Sequence, residues 1–290
     1  VLGMLIPPSV LMIIFGLLTN ASIGDLFIAG IVPGIVLALA YSGYIVWLSW
    51  RRPRMLGIGF AHDQLPRVAM TPRQMAAAMV PLAGMIGLVL GGMYGGWFTA
   101  TEAAAIGAAM ALLLTMARRA VSGPQLWATL VETGQVTASL LVLILAASIY
   151  SRFLALTGLP SALGSWVGEA GLSMGLMLAA YVGVLLLLGT IMDSASIMLI
   201  TVPLFLPLFN AMQLDLVWLG IVTVIAVEVG LLTPPFGMGV FVVKSSLENS
   251  RLTVRDVFAG ALPFAGVMLL VMVAVLLVPE LATGLVRLAR

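Results

Sequence analysis

The chain has 290 residues, of which 62% are hydrophobic and only 8% charged, with a formal charge of +2 and no cysteine. Soluble domains carry roughly 25% charged residues, so a water-soluble fold is excluded, and so small a net charge points away from nucleic acid. The lack of cysteine rules out disulfides, thiol chemistry and Cys-ligated zinc.

The mean hydropathy of +1.20 comes from long uncharged runs, at 26–50, 74–101, 170–192, 194–214 and 257–279. A bilayer span needs about 20 mainly apolar residues. The composition therefore predicts one all-α integral membrane protein that crosses the bilayer several times. Position 1 is a valine already inside an apolar run, so the polypeptide is expected to begin upstream.

A first apolar segment covers residues 1–19 and leads to a polar turn at 20–25. The second, 26–50, closes on Tyr44, Trp47 and Trp50, where an aromatic belt belongs. Arg51, Arg52 and Arg54 follow, and with Arg67 and Arg73 they place the stretch 51–73 in the cytoplasm by the positive-inside rule. His62 within it reads as a solvated side chain. A span is predicted over 75–93, then a glycine-rich turn at 91–96 and a helix over 101–117. Thr99 and Glu102 have capping-box spacing at its start; Glu102 reads as a cap before it reads as a ligand. Arg118 and Arg119 end the helix on the cytoplasmic side.

Residues 123–133 are more polar and read as an interfacial connector to a span at 135–150. Arg152 beyond it either attracts an anion or snorkels to the interface. Leu159, Leu163, Trp166 and Val167 share a helical face that Ser161, Ser165 and Glu169 avoid, the pattern of a short interfacial helix. Further apolar segments follow at 172–191, 196–210, 216–232, 236–246 and 257–285. The 18 methionines read as membrane core.

Two stretches repeat. Gly3-Met4-Leu5-Ile6-Pro7-Pro8-Ser9 matches Gly230-Leu231-Leu232-Thr233-Pro234-Pro235-Phe236. Downstream, Asp25-Leu26-Phe27 with Ala29-Gly30-Ile31-Val32-Pro33 matches Asp256-Val257-Phe258 with Ala259-Gly260-Ala261-Leu262-Pro263, offset by one residue. Two blocks in the same order indicate an internal duplication. A proline removes a backbone hydrogen bond and clashes with the preceding turn, so each Pro-Pro pair predicts a broken helix. Lipid cannot satisfy the freed groups, which must be buried in protein or line a wet cavity. Such breaks at matched positions of two halves either are structural kinks or mark a transporter's binding site.

A second anomaly is Gly189-Thr190-Ile191-Met192-Asp193-Ser194-Ala195-Ser196, where a carboxylate and hydroxyls interrupt two apolar arms. It is either a surface turn or the tip of a re-entrant hairpin with arms near 172–210. An ionised aspartate at the bilayer centre costs at least ~2.5 kcal/mol, so it requires a cation, a proton or hydrogen-bond donors. The predicted cation site lies between this tip and the second break, with Asp193, Ser194, Thr233 and backbone oxygens near Gly189 and Pro234 as hard ligands. Glu228, two residues before that break, serves either a proton or cation or else packs as a hydrogen-bonded carboxylate. With the arginine-rich stretches inside and a hairpin entering from outside, the halves have inverted topology. A straight-through helix at Asp193 makes them parallel instead. No nucleophile, base and oxyanion constellation appears, so no catalysis is expected; an intramembrane aspartyl protease needs a second facing aspartate.

At these residues the chain resembles the large membrane subunit (DctM-like) of tripartite ATP-independent periplasmic, or TRAP, transporters. The resemblance rests on Leu2–Ser9, Ser22–Gly34, Gly95–Ala105 with its Phe98-Thr99-Ala100-Thr101-Glu102, Gly189–Asp193 and Gly230–Gly237. It departs at Ala100, where the family has proline, and in lacking the family's N-terminal region with its own hairpin tip. The resemblance implies an elevator-type fold with inverted repeats, a re-entrant hairpin and discontinuous helices. Residues 1–50 are then the remainder of the first repeat. Residues 51–134 are the cytoplasmic loop and connecting helices, and 135–290 the second repeat, all within one transport domain.

It further implies sodium-coupled uptake of an organic anion, such as a C4-dicarboxylate, another carboxylate or sialic acid, across the bacterial inner membrane. Sodium is the coupling ion and no cofactor is expected. A small membrane subunit and a periplasmic substrate-binding protein are the implied partners; a single-component sodium–anion symporter is the near alternative. Gly3, Pro7, Pro8, Ser9 and Glu228 fall in the implied substrate and second-cation region.

Overall fold

Apolar runs bounded by hydroxyl and carboxylate caps become helices throughout. The computed structural model describes residues 2–51, 71–158, 162, 165, 173–246 and 253–289. Arg52, Arg54, His62 and Arg67, most of the interfacial helix expected at 159–167, and Glu169 lie outside the described residues. Among those described, helix is the only regular structure: α1 (Leu2–Leu5), α2 (Val10–Thr19), α3 (Ile23–Arg51), α4 (Pro72–Tyr94), α5 (Ala100–Ala117), α6 (Gly123–Leu156), α7 (Met174–Gly189), α8 (Ser194–Ala211), α9 (Leu216–Leu232), α10 (Met238–Ser246), α11 (Val254–Leu277) and α12 (Glu280–Ala289). Among the described residues seven segments are long and apolar enough to cross a bilayer, one of them Leu2–Thr19, which holds α1 and α2. At 16 and 17 residues, α7 and α9 are apolar but shorter. At 1.5 Å per residue they reach about 24–26 Å against a hydrocarbon core of ~30 Å. The protein is thus an all-α, polytopic membrane protein.

Two sequence expectations are corrected. The apolar stretch 257–285 is not one helix: α11 stops at Leu277 and α12 starts at Glu280. Proline disfavours helical geometry at the residue before it, and Val278, before Pro279, has left it at φ −127°, ψ 81°. The connector expected at 123–133 is instead the first third of the 34-residue α6. Ser122 ties its backbone N–H and hydroxyl to Gln125 (both 2.9 Å), which fixes the start, and no proline interrupts the run after Pro124.

The chain forms two compact units, Val1–Tyr41 with Ser139–Arg290, and Ser42–Ala138. In the second, α4 and α5 pack as an antiparallel pair, because Arg118 near the end of α5 donates to the Ala77 carbonyl near the start of α4 (2.7 Å). The turn between them is set by Gly92, over which the Phe98 ring lies so closely that a Cβ would meet it at 1.9 Å. Thr99 and Glu102 make the reciprocal capping box read from the sequence, with the Thr99 N–H donating to Oε2 at 2.8 Å.

In the first unit α9 is the central helix. Every residue from Trp218 to Gly230 is buried, the mark of a helix apolar all round. α1, α2, α7, α8, α10, α11 and α12 all pack on it. Trp218 donates its indole N–H to the Val275 carbonyl of α11 at 2.8 Å. The repeat extends to the caps: the Ser22 hydroxyl accepts from the Asp25 N–H (3.2 Å) and the Thr253 hydroxyl from the Asp256 N–H (3.3 Å).

Candidate functional site: a meeting of helix ends

Both Pro-Pro pairs interrupt helices. Between α1 and α2, residues 6–9 are irregular, and between α9 and α10, residues 233–237. Both Pro–Pro peptides are cis. A hydroxyl repairs each break. Ser9 caps α2, accepting the Met12 N–H at 3.4 Å, and its hydroxyl donates back to the Met4 carbonyl. Thr233 donates its hydroxyl to the Val229 carbonyl at 2.7 Å and its N–H to Gly230 at 2.9 Å. The Met4 and Gly230 carbonyls thus regain partners that Pro8 and Pro234, lacking an N–H, cannot offer. Gly237, at φ +51°, turns the chain into α10.

The carboxylate-bearing turn is the tip of a helical hairpin, α7–α8. Thr190 is buried and donates to the Leu187 carbonyl at 2.8 Å. Asp193 is the N-cap of α8: one carboxylate oxygen accepts the Ser196 N–H (3.1 Å), the other the Ser196 hydroxyl (2.5 Å). The side chain is exposed. Carboxylates are favoured N-caps because they satisfy orphan amides and offset the helix dipole. A carboxylate has about four lone-pair positions, so this capping leaves capacity for a further partner. A groove of about 440 Å³ opens beside the turn, with Leu143, Ala147 and Tyr150 of α6 facing Met192, Ser196 and Ile200.

The hairpin tip meets the broken end of α9. A Cβ on Gly189 would lie 2.6 Å from the Gly230 Cα, and one on Gly230 would lie 2.7 Å from the Gly189 Cα. The two helices therefore touch backbone to backbone. One helical stretch back, the Tyr181 and Thr223 hydroxyls share a hydrogen bond of 2.9 Å, so α7 and α9 run parallel and end together. Ser194, the first residue of α8, donates its hydroxyl to Glu228 Oε1 at 3.0 Å, with both residues buried. α2 runs antiparallel to α9, since α1 packs on α9 while Phe15 lies beside Gly220. The starts of α2 and α8 thus lie toward the finishing ends of α7 and α9.

Of the residues named from the sequence, Gly189, Ser194 and Glu228 are in contact or one residue from it, and Thr233 closes the same end of α9. Pro7 and Ser9 are buried in the first break, whereas Gly3, Pro8 and Pro234 are exposed. Asp193 sits one residue from Ser194, its carboxylate turned to Ser196. Sequence reasoning missed Gly230 as a contact point and Tyr41, which lies within electrostatic range of Glu228. The paired glycines at two helix ends were the available signal for the first. Among the described residues no three His, Cys, Asp or Glu side chains gather. The donors on offer are hydroxyls, carbonyls and single carboxylates, which suit a hard cation over a transition metal.

Discontinuous helices meeting a hairpin tip inside a polytopic bundle define a transporter-type membrane fold. Comparison with known proteins gives the family. Residues 1–281 match the family "Tripartite ATP-independent periplasmic transporter, DctM component", and the chain belongs to that family. It is 34% identical, over 98% of its own length and 64% of the relative's, to the C4-dicarboxylate TRAP transporter large permease protein DctM of Pseudomonas aeruginosa. It is 32% identical, over 99% and 65%, to the ectoine TRAP transporter large permease protein TeaC of Halomonas elongata. To the isethionate TRAP transporter permease protein DctMQ of Oleidesulfovibrio alaskensis it is 31% identical over 97% and 43%. The chain therefore spans less than two thirds of these curated relatives.

Proposed function

We propose that the chain serves in the large permease of a TRAP transporter, taking up a small organic anion across the bacterial inner membrane with sodium as coupling ion. Its partners are a small membrane subunit and a periplasmic substrate-binding protein. The observation that carries this reading is the meeting of the hairpin tip with the broken end of α9, where Ser194 bonds Glu228 and Gly189 abuts Gly230. Irregular backbone at membrane depth is stable only in protein or against a wet cavity, and carbonyls at helix ends there coordinate cations. Sodium is held at the α7–α8 turn and Thr233, from Asp193, Ser194, Thr233 and backbone oxygens near Gly189 and Pro234. The first break, Gly3 to Ser9, with Glu228 beside it, serves the anion or a second cation. Residues 1–50 and 135–290 act as inverted repeats joined by 51–134.

The relatives named for C4-dicarboxylate, ectoine and isethionate differ in solute; C4-dicarboxylate and isethionate are anions, which supports the anion class, whereas ectoine is a zwitterion. The test is uptake into proteoliposomes holding the full-length subunit with both partners, with and without a sodium gradient. Asparagine caps a helix as well as aspartate, so Asp193→Asn keeps the fold and raises the sodium concentration for half-maximal uptake at least tenfold. Uptake that survives collapse of the sodium gradient overturns the coupling. Uptake by the permease without a binding protein identifies a single-component symporter instead.

A further inference from the structure

We propose that Glu228 is a positioning residue: its buried carboxylate holds Ser194, the first residue of α8, and so keeps the α7–α8 turn closed on the broken end of α9. Its consequence for transport rests on the permease reading; its geometry does not.

Three observations carry it. The Ser194 hydroxyl donates to Glu228 Oε1 at 3.0 Å, and the two residues are 9% and 3% exposed. Burying a carboxylate is expensive unless it is hydrogen-bonded, so the side chain has no reason to be there apart from its partners. Secondly, Glu228 opposes its own helix. It lies four residues from the C-terminal end of α9, where the helix dipole disfavours negative charge. The end that does favour it is the N-terminus of α8, which Ser194 opens. The start of α8 therefore favours a carboxylate at position 228 where the end of α9 does not. Thirdly, the turn's other hydroxyl and its carboxylate are engaged inside the hairpin: Thr190 bonds Leu187, and Asp193 bonds Ser196. The glycine contact beneath them is close but apolar. The Ser194–Glu228 bond is the polar tether between tip and broken helix, and lifting the tip requires breaking it.

These 290 residues contain no cysteine, and with any cysteine elsewhere in the full-length subunit replaced by serine a single introduced thiol reports on the tip. Met192 lies in the turn and is half-buried. In the purified full-length subunit in nanodiscs, labelling of Met192→Cys by a water-soluble maleimide is compared across backgrounds. Glu228→Ala and Ser194→Ala are each expected to speed it about tenfold, the equivalent of one hydrogen bond of ~1.4 kcal/mol. Glu228→Gln keeps a carbonyl acceptor and stays within about twofold of the parent. The double variant Ser194→Ala/Glu228→Ala is no faster than either single. A remote reporter at Ser246→Cys, exposed at the end of α10, is unchanged. Equal labelling in all backgrounds, or additive effects of the two alanines, overturns the tether. If Glu228→Ala does not fold, Ser194→Ala and Glu228→Gln still decide it. The assay uses neither solute nor sodium. Its failure removes the tether and leaves transport intact, whereas sodium-independent uptake with a protected tip removes the coupling and leaves the tether.

Discussion

The contact between Gly189 and Gly230 makes a quantitative prediction. In Gly230→Ala the new methyl would lie 2.7 Å from the Gly189 Cα and 3.0 Å from the Leu186 carbonyl oxygen. Carbon atoms in ordinary contact are about 3.5–4.0 Å apart, so α7 and α9 must separate by roughly 1 Å. The obstructing atoms are backbone, and no rotamer change relieves them. Overpacking of this kind costs about 1–3 kcal/mol, offset by the ~0.5–1 kcal/mol that alanine gains over glycine within a helix. Moving the hairpin by 1 Å also stretches the Ser194–Glu228 bond from 3.0 Å beyond hydrogen-bonding range, for about 1 kcal/mol more. The net expectation is a loss of about 1–3 kcal/mol, read as a lower thermal midpoint of the detergent-solubilised subunit. Gly183→Ala is the control: it lies on the facing helix α7 with open space around its would-be Cβ, and its midpoint should hold or rise. Equal midpoints for the two variants would refute the claim that the backbones touch.

Three further outcomes follow from other contacts. Tyr181→Phe removes the bond to Thr223 at 2.9 Å, while Thr223 keeps its bond to the Leu219 carbonyl at 2.7 Å; thermal unfolding should show a loss of about 0.5–1.5 kcal/mol. Trp218→Phe strands the Val275 carbonyl that accepts the indole N–H and should cost about 1–3 kcal/mol by the same measurement, more than Tyr181→Phe. Thr99→Ala removes the cap of α5 at about 0.5–2 kcal/mol. Hydrogen exchange should quicken in the first turn of α5 and not in α9, and Thr99→Ser should restore most of the protection.

What could be read in advance divides along a physical line. The Pro-Pro breaks were legible because two successive residues without an N–H cost a helix two bonds, whereas the single prolines at 33, 81, 203, 207 and 263 sit inside continuous helices. The bounds of α9 were legible for a related reason: Asp215 caps its start, accepting from Val217 and Trp218, and Thr233, before the Pro234-Pro235 pair that disfavours helix, is extended at its end. Both signals are local. The stop at Val278 was hidden by apolar continuity on either side of a single proline, and the reach of α6 by polar residues that do not break a helix. The partner of Glu228 lay beyond any local signal, because 34 residues separate it from Ser194. Asp193 was half legible. Its position in a turn between two apolar arms was right there in the pattern, but its first use is as a cap, which depends on where α8 begins.

The convergence of helix ends explains why this region is polar at all. The ends of α7 and α9 bring partial negative charge, and the start of α8 brings partial positive charge. Placed together in an apolar bundle, these ends compensate one another, and Ser194 and Glu228 sit where they meet. Uninterrupted helices would carry their ends out to water and need no such arrangement. The breaks at Pro7-Pro8 and Pro234-Pro235 therefore create the polar site by bringing helix ends into the interior. The hydroxyl of Ser9 and the N–H of Thr233 then limit the cost by bonding the Met4 and Gly230 carbonyls that proline leaves behind.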